Sequence, residues 1–304
     1  MVEWLVPDWP APPWVRAVAT TRRGGVSLGG YAGLNLGDHV GDDPGRVQAN
    51  RQLLRSALGL PGEPRWLRQV HGCGVVPAAA SGAPGAADCE ADASVAYGPG
   101  AVCAVLTADC LPLLLTDRFG TRVAAVHAGW RGLVAGVIEA TVARLAVPPG
   151  DLLVWLGPAI GATAFEVGDE VRARFVAADA QAVAGFTSLG GDKWLADIYL
   201  LARQRLAALG VARVWGGEHC TYRDPERFYS YRRDGVTGRM ASLIWLEDPQ
   251  PSPPGPLGAP KQHELPETAE TADTAKIAEI AEIAEAPGVT RITQATRPSG
   301  PPAR

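Results

Sequence analysis

Apolar residues fall in short blocks through the first 246 positions, and the spacing within each block predicts an element. Residues 15–20 (VRAVAT) read as a strand. The runs 101–107, 111–116 and 122–127 are short, apolar and separated by polar residues or glycine, the pattern of buried strands. Residues 151–156, 211–215 and the closing ASLIWL read the same way. Helical signals separate these runs. Asp43-Pro44 supplies a cap and a first-turn proline for a helix with Val47, Leu54 and Leu58 on one face, ended by Gly59. Further helices are predicted over 131–146, from Asp169 to 178, and over 197–209 up to Gly210. Residues 65–76 (RWLRQVHGCGVV) predict strand, glycine turn, strand, with His71 at the end of the first strand.

Between these elements lie three loops. Residues 21–43 are rich in Gly, Asn and Asp, and long loops inside compact domains are usually functional or disordered. Residues 77–90 are rich in Ala, Gly and Pro, and residues 216–240 are polar and aromatic. The texture changes at Glu247, where a Pro-rich linker leads into Glu-Ile-Ala repeats around 267–286, an acidic helix of marginal stability on its own. The expected organisation is one domain over 1–246 and a mostly disordered tail over 247–304.

Composition narrows the function classes. The chain has 304 residues, 47% of them apolar, so core burial is not limiting. No apolar run is long enough to span a bilayer, and the first residues lack the pattern of a signal peptide, so no membrane association and a cytoplasmic location are expected. Net charge is −4, all of it in the tail, which has nine acids and five bases; residues 1–246 carry 23 of each. A balanced core lacks the basic bias of a nucleic-acid binder. The five cysteines include no C-x-x-C pair, which excludes a local zinc knuckle and predicts free thiols.

The stretch 101–138 holds the candidate chemistry. Cys110 closes one apolar run, His127 closes the next, and Ala128-Gly129-Trp130-Arg131-Gly132 reads as a turn launching a helix. Taken singly these residues have ordinary explanations. A cysteine ending an apolar run is more often a small buried hydrophobe, and a histidine in a glycine-bounded turn, as His71 is, more often a surface or capping residue.

Read together, QVHG at 69–72, TADC at 107–110 and VHAGWRG at 126–132 resemble the YfiH-like family, described as laccase-domain proteins, purine nucleoside phosphorylases or polyphenol oxidases. TTRRGGVS, LNLGDHVGDD, WLGPAIG, FEVGDEV and FYSYRRDGVTGRMASLIWL extend the resemblance, in order, over residues 15–246. The resemblance implies an α+β fold, a layered α/β/β/α domain related to putative cysteine hydrolases. It implies a metal site of His71, Cys110 and His127, which are then also the catalytic residues. One departure stands out: many relatives carry a cysteine after the GPAIG turn, where this chain has Thr163.

Two imidazoles and a thiolate suit Zn²⁺ better than copper, and three protein ligands leave a fourth position where bound water is acidified to a pKa of about 7. The implied activity is zinc-dependent phosphorolysis of adenosine, inosine and S-methyl-5′-thioadenosine, with adenosine deamination; the partners are purine nucleosides and phosphate. Phosphate is held by guanidinium forks or helix N-terminal amides. Arg131 and Arg22 are the candidates, with Arg23, Arg232, Arg233 and Arg239 as further arginines. Asn35 and Asp38 are candidate pocket residues or turn formers. Phe228, Tyr229 and Tyr231 are candidate base-stacking or core residues, and Trp130 a pocket wall or a packing residue. Three other readings remain open: an amidase editing peptidoglycan precursors, with Cys110 as nucleophile and His127 as base; a copper polyphenol oxidase, for which five histidines without an H-x-H pair are a poor match; and a scaffold contacting a partner through the acidic tail.

Overall fold

The computed structural model describes residues 1–78 and 90–248. Cys89, most of the Ala/Gly/Pro-rich loop and the tail beyond 248, with its expected linker, helix and disorder, lie outside the described residues.

In chain order the elements are β1 (Trp4–Leu5), β2 (Val15–Thr20), α1 (Pro44–Leu58), β3 (Val75–Pro77), β4 (Ala93–Ala96), β5 (Val102–Thr107), β6 (Leu111–Asp117), β7 (Val123–Ala128), α2 (Trp130–Ala135) and α3 (Val137–Leu145). There follow β8 (Leu152–Leu156), β9 (Glu166–Gly168), α4 (Asp169–Ala178), β10 (Phe186–Gly190), β11 (Lys193–Ala196), α5 (Ile198–Ala208), β12 (Val214–Gly216), α6 (Tyr231–Asp234) and β13 (Met240–Leu246).

Two large sheets carry the fold. One is antiparallel, in the order β1-β2-β13-β5; the other runs β12-β8-β6-β7-β4-β3, antiparallel in its middle with a parallel pair at each end. Strand periodicity sorts their side chains into layers. Val123 and Ala125 of β7 share one core with Ala17, Cys103, Val105 and Ile244 of the first sheet, so the sheets pack face to face. Ala124 and Val126 of β7 point the other way, onto Ile138 and Leu145 of α3 and Leu201 and Leu206 of α5. Outside the first sheet, Leu54 of α1 packs with Leu34, Leu36, Ala104 and Trp245. The order of layers is helix, sheet, sheet, helix, the α/β/β/α arrangement expected.

Helix α1 is built as its sequence predicts: the Asp43 side chain accepts from the Arg46 amide, and Gly59 closes it at φ 59°. Three expectations need correction. Residues 65–72 do not form the first arm of a hairpin; they make only isolated parallel bridges, Arg65 to Cys103 and Arg68 to Glu90, and β3 instead pairs in parallel with β4. The helix expected over 131–146 starts at Trp130 and breaks at Gly136, whose φ of 90° ends α2 and starts α3. The small antiparallel sheet β10-β11-β9 was not foreseen, because β10 is mostly exposed and carries no apolar alternation.

Candidate metal centre

His127 comes from β7, opposite Pro112 of β6, and shares the inter-sheet parity of Val123 and Ala125. It is 3% exposed. Cys110 lies in the turn where the chain leaves β5, in one sheet, for β6, in the other. Asp109 forms that turn with φ 99°, a conformation costly for a residue with a Cβ. Its carboxylate accepts the Thr221 hydroxyl at 2.6 Å and the Arg232 amide at 2.7 Å, and its carbonyl accepts the Ile160 amide at 2.9 Å. Three distant segments thus hold the turn in place. His71 is delivered by the exposed loop before β3, at φ 59°.

These three residues meet at one point. The Cys110 Sγ is 3.8 Å from His71 Nε2, the two imidazoles stand edge to face with centroids 4.8 Å apart, and the three ligating atoms all lie within 4.8 Å of one another.

Asp92, fully buried just before β4, organises the group. Its Oδ1 accepts from His127 Nδ1 at 2.8 Å and from the His71 amide at 2.9 Å; its Oδ2 accepts the Gly72 amide at 2.6 Å and the Val70 amide at 3.3 Å. Its own carbonyl accepts the His127 amide. One carboxylate therefore sets the His127 ring and the left-handed turn that presents His71. With Nδ1–H committed to Asp92, Nε2 is the ring nitrogen left for a metal, which would take the place of its proton.

Charge follows from this packing. Burial pushes Asp92 up, but the His127 hydrogen bond and the Gly72 and His71 amides more than offset it, leaving its pKa below the ordinary carboxylate value. Burial also pushes the Cys110 thiol up, yet His127 and His71 draw it down to about 6. Burial pulls His127 down, while the Cys110 thiolate and Asp92 carry it up to about 9. At neutral pH the metal-free centre is a thiolate–imidazolium–carboxylate row.

Two glycines and one glutamine let the parts approach. A Cβ on Gly129 would stand 2.9 Å from both Cys110 Sγ and His71 Cδ2, so a side chain there would fill the space between the ligands. A Cβ on Gly132 would meet the Gly72 carbonyl at 2.8 Å, which lets α2 seat against the His71 loop. The Gln69 amide donates to the Leu106 carbonyl at 2.8 Å and accepts the Leu106 amide at 2.7 Å, tying that loop to β5.

The donor set fits a metal. In a tetrahedral zinc site with bonds of about 2.0–2.3 Å, ligand atoms stand roughly 3.5 Å apart, close to the Cys110–His71 separation here. A carboxylate behind one histidine is the usual outer partner of such a ligand. It is the one such group of three or more metal-capable side chains among the described residues.

The other sequence candidates are placed differently. Asn35 is buried and spends its amide within the protein: Nδ2 donates to Gly37 and Asp42, and Oδ1 accepts the Gly37 and Arg239 amides. Arg22 lies over the Tyr229 ring at 4.5 Å and donates to Pro225 and Ala32 carbonyls. Arg131 is exposed, lies over Trp130 at 4.4 Å, and borders a shallow depression shared with Glu166 and Glu170. Helix α2 behind it has six residues. Asp38 pairs with Arg51 at the rim of a 630 Å³ cavity that also takes in His39, Trp66, Gln69 and Leu106. Phe228 and Tyr229 are fully buried core residues; Tyr231 is exposed. The four described cysteines, Cys73, Cys103, Cys110 and Cys220, are free, as expected.

The sequence reading missed Asp92, Asp109 and Gly129 as parts of the centre. One signal for Asp92 was available, a lone acid inside the otherwise small and apolar ADASVA.

Fold and centre together define an α+β protein built on two large sheets, with a His-Cys-His cluster where the chain passes from one to the other. The chain belongs to the multi-copper polyphenol oxidoreductase laccase family, whose model matches residues 16–247. It is 57% identical over 246 residues to a protein of Escherichia coli named purine nucleoside phosphorylase YfiH, covering 81% of this chain and all of that one. It is likewise 57% identical over 249 residues to the Pseudomonas aeruginosa purine nucleoside phosphorylase PA4543, covering 82% of this chain and all of that one. Among solved structures, Neisseria meningitidis NMB0706 is 51% identical, with a TM-score of 0.77 over 80% of this chain and 99% of its own. YlmD from Geobacillus stearothermophilus is 30% identical, with a TM-score of 0.73 over 81% and 96%.

Proposed function

We propose that this chain is a zinc-dependent purine nucleoside phosphorylase acting on adenosine, inosine and S-methyl-5′-thioadenosine, with adenosine deaminase activity. The observation that carries the reading is the convergence of His71, Cys110 and His127 in a chain 57% identical to proteins bearing the phosphorylase name. One cysteine and two histidines in a single cluster favour zinc over the several copper ions of a laccase. Bound zinc supplies Lewis acidity at neutral pH. The residues of the chain do the rest. Asp92 holds the His127 ring and gathers the amides that aim His71; Asp109 and its three partners fix the Cys110 turn; Gly129 keeps the approach clear. The domain boundary near 246 and a cytoplasmic location belong to the same reading, and no helix among the described residues is long and apolar enough to cross a membrane.

The test is to incubate zinc-loaded protein with adenosine, with and without phosphate. Adenine and ribose 1-phosphate are expected only with phosphate, and inosine in either case. No adenine, inosine or hypoxanthine above background would overturn the reading.

A second reading has its own observation. Cys110, His127 and Asp92 also stand in the order of a cysteine hydrolase triad, with the thiol drawn down to about 6, which suits a metal-free amidase. Metal analysis separates the two: stoichiometric zinc that disappears in Cys110→Ala argues for a ligand rather than a nucleophile.

A further inference from the structure

The phosphorylase reading needs a place for an oxyanion, and Arg239 is better placed for it than Arg131 or Arg22. Met240 pairs with Thr107, so Arg239, one residue earlier, sits beside the Ala108–Asp109–Cys110 turn. Its backbone amide is held by Asn35 and its stem lies over Gly37, where an added Cβ would come within 2.7 Å of Arg239 Cγ. Only Nη1 is spent, on the Thr237 and Gly238 carbonyls at 3.0 and 3.1 Å. Among the described residues Arg239 has no carboxylate at ion-pair distance, and its Nε and Nη2 make no hydrogen bond. Its guanidinium carbon stands 6.0 Å from the Tyr231 ring centroid, and its charge is felt by Cys110 and Asp109. A half-buried guanidinium with unspent donors calls for an anion. The acid of the adjoining turn, Asp109, is already committed to Thr221 and Arg232. By contrast, Arg131 is exposed and lies over the Trp130 ring, in a depression where Lys193 and Arg232 face Glu166 and Glu170, and Arg22 is tied to carbonyls and a ring.

We propose that Arg239 forms the oxyanion subsite of this centre and holds inorganic phosphate beside the Cys110 turn. The proposal rests on the phosphorylase reading for its chemistry. A phosphate oxygen forms the bond to C1′ of the ribose as the C1′–N9 bond breaks; the electron pair departs with the base, which takes up a proton from solvent.

The test uses the zinc-loaded full chain and inorganic phosphate alone, with the dissociation constant read by calorimetry or phosphorus NMR. KM values for phosphate and for adenosine are then measured separately. Arg239→Ala should weaken phosphate binding and raise the phosphate KM roughly 10- to 100-fold, the scale of one or two charge-assisted hydrogen bonds. The adenosine KM should change by no more than about twofold, and zinc content should stay stoichiometric. Arg239→Lys should fall in between, and it carries the test if the alanine variant at 239 does not fold. Unchanged phosphate binding in both variants overturns the subsite, as does a loss confined to Arg131→Ala. Phosphorolysis by wild type with Arg239 variants unaffected removes the subsite alone. Phosphate bound through Arg239 without any phosphorolysis removes the activity and leaves the subsite.

Discussion

His71 and His127 face one another across the same centre, yet the chain holds them in opposite ways. His127 is the last polar position of a buried strand, 3% exposed, and its place in the β6–β7 ladder fixes its backbone. His71 is exposed, sits at φ 59°, and belongs to no ladder; its loop is held by the Asp92 carboxylate and the Gln69 amide. One ligand is a property of the sheet. The other is a strained turn kept in place by tertiary hydrogen bonds, of the kind that collects at functional sites. What joins them is Asp92, which serves both.

The sharpest way to break this contrast is to remove that shared carboxylate. Asp92→Ala strands the His127 imidazole in the core and frees three loop amides. A loss of about 3–5 kcal/mol in urea unfolding is expected, with zinc affinity down about 10- to 100-fold or more. If zinc affinity held at the wild-type value, Asp92 would not be the organiser. Asp92→Asn should be milder for His71, because its carbonyl can still accept a loop amide.

A second experiment separates the two histidines. In metal-free protein His71→Gly relieves a left-handed backbone and should leave stability within about 1 kcal/mol of wild type, on the stabilising side. His127→Ala leaves Asp92 buried without its partner and should cost about 3 kcal/mol or more. Both variants should lose stoichiometric zinc. Equal destabilisation in thermal melts would show that the His71 turn is not strained.

The smallest effect is one of pH. His127, raised to about 9, stabilises the fold below its ordinary value near 6.5 and loses that contribution as pH rises through 9. Cys110, lowered to about 6, does the reverse: its contribution is absent below 6 and complete only above its ordinary value near 9. Between about pH 6.5 and 9 the two slopes oppose and nearly cancel, so metal-free wild type should unfold at nearly constant urea concentration. Cys110→Ser removes the thiolate slope together with the largest cause that raises His127, so only the part owed to Asp92 remains and the midpoint should fall slightly as pH rises through the same window. A wild-type midpoint that falls steeply between about pH 6.5 and 9 would show that the Cys110 thiolate does not offset His127.

The parts of this molecule that were legible in the sequence are those whose cause is local. The runs at 111–116 and 122–127 are apolar on both faces because they lie between two layers, and α1 announces itself by Asp43-Pro44 and Gly59. Cys110 and His127 stood out because each ends such a run. His71 did not; only the family motif QVHG singled it out. Asp92 escaped because its partners are a ring 35 positions ahead and amides 20–22 positions behind, and no spacing rule encodes that. The same amides explain why 65–72 was misread as a hairpin arm: its hydrogen bonds go to a carboxylate and a glutamine, where a strand would use a neighbour. The break at Gly136 was invisible because apolar residues on both sides keep helical spacing through it.

Gln69 does more than steady a ligand loop. Strand β5 is the outer strand of its four-stranded sheet, and an outer strand offers unpaired amides and carbonyls to any passing chain. By taking both the amide and the carbonyl of Leu106, the Gln69 side chain stands where an intruding strand would pair. The Arg65–Cys103 bridge covers the edge further along. The loop that carries His71 is therefore also a guard against self-association, and protein that loses this loop's anchorage loses its solubility margin along with its ligand.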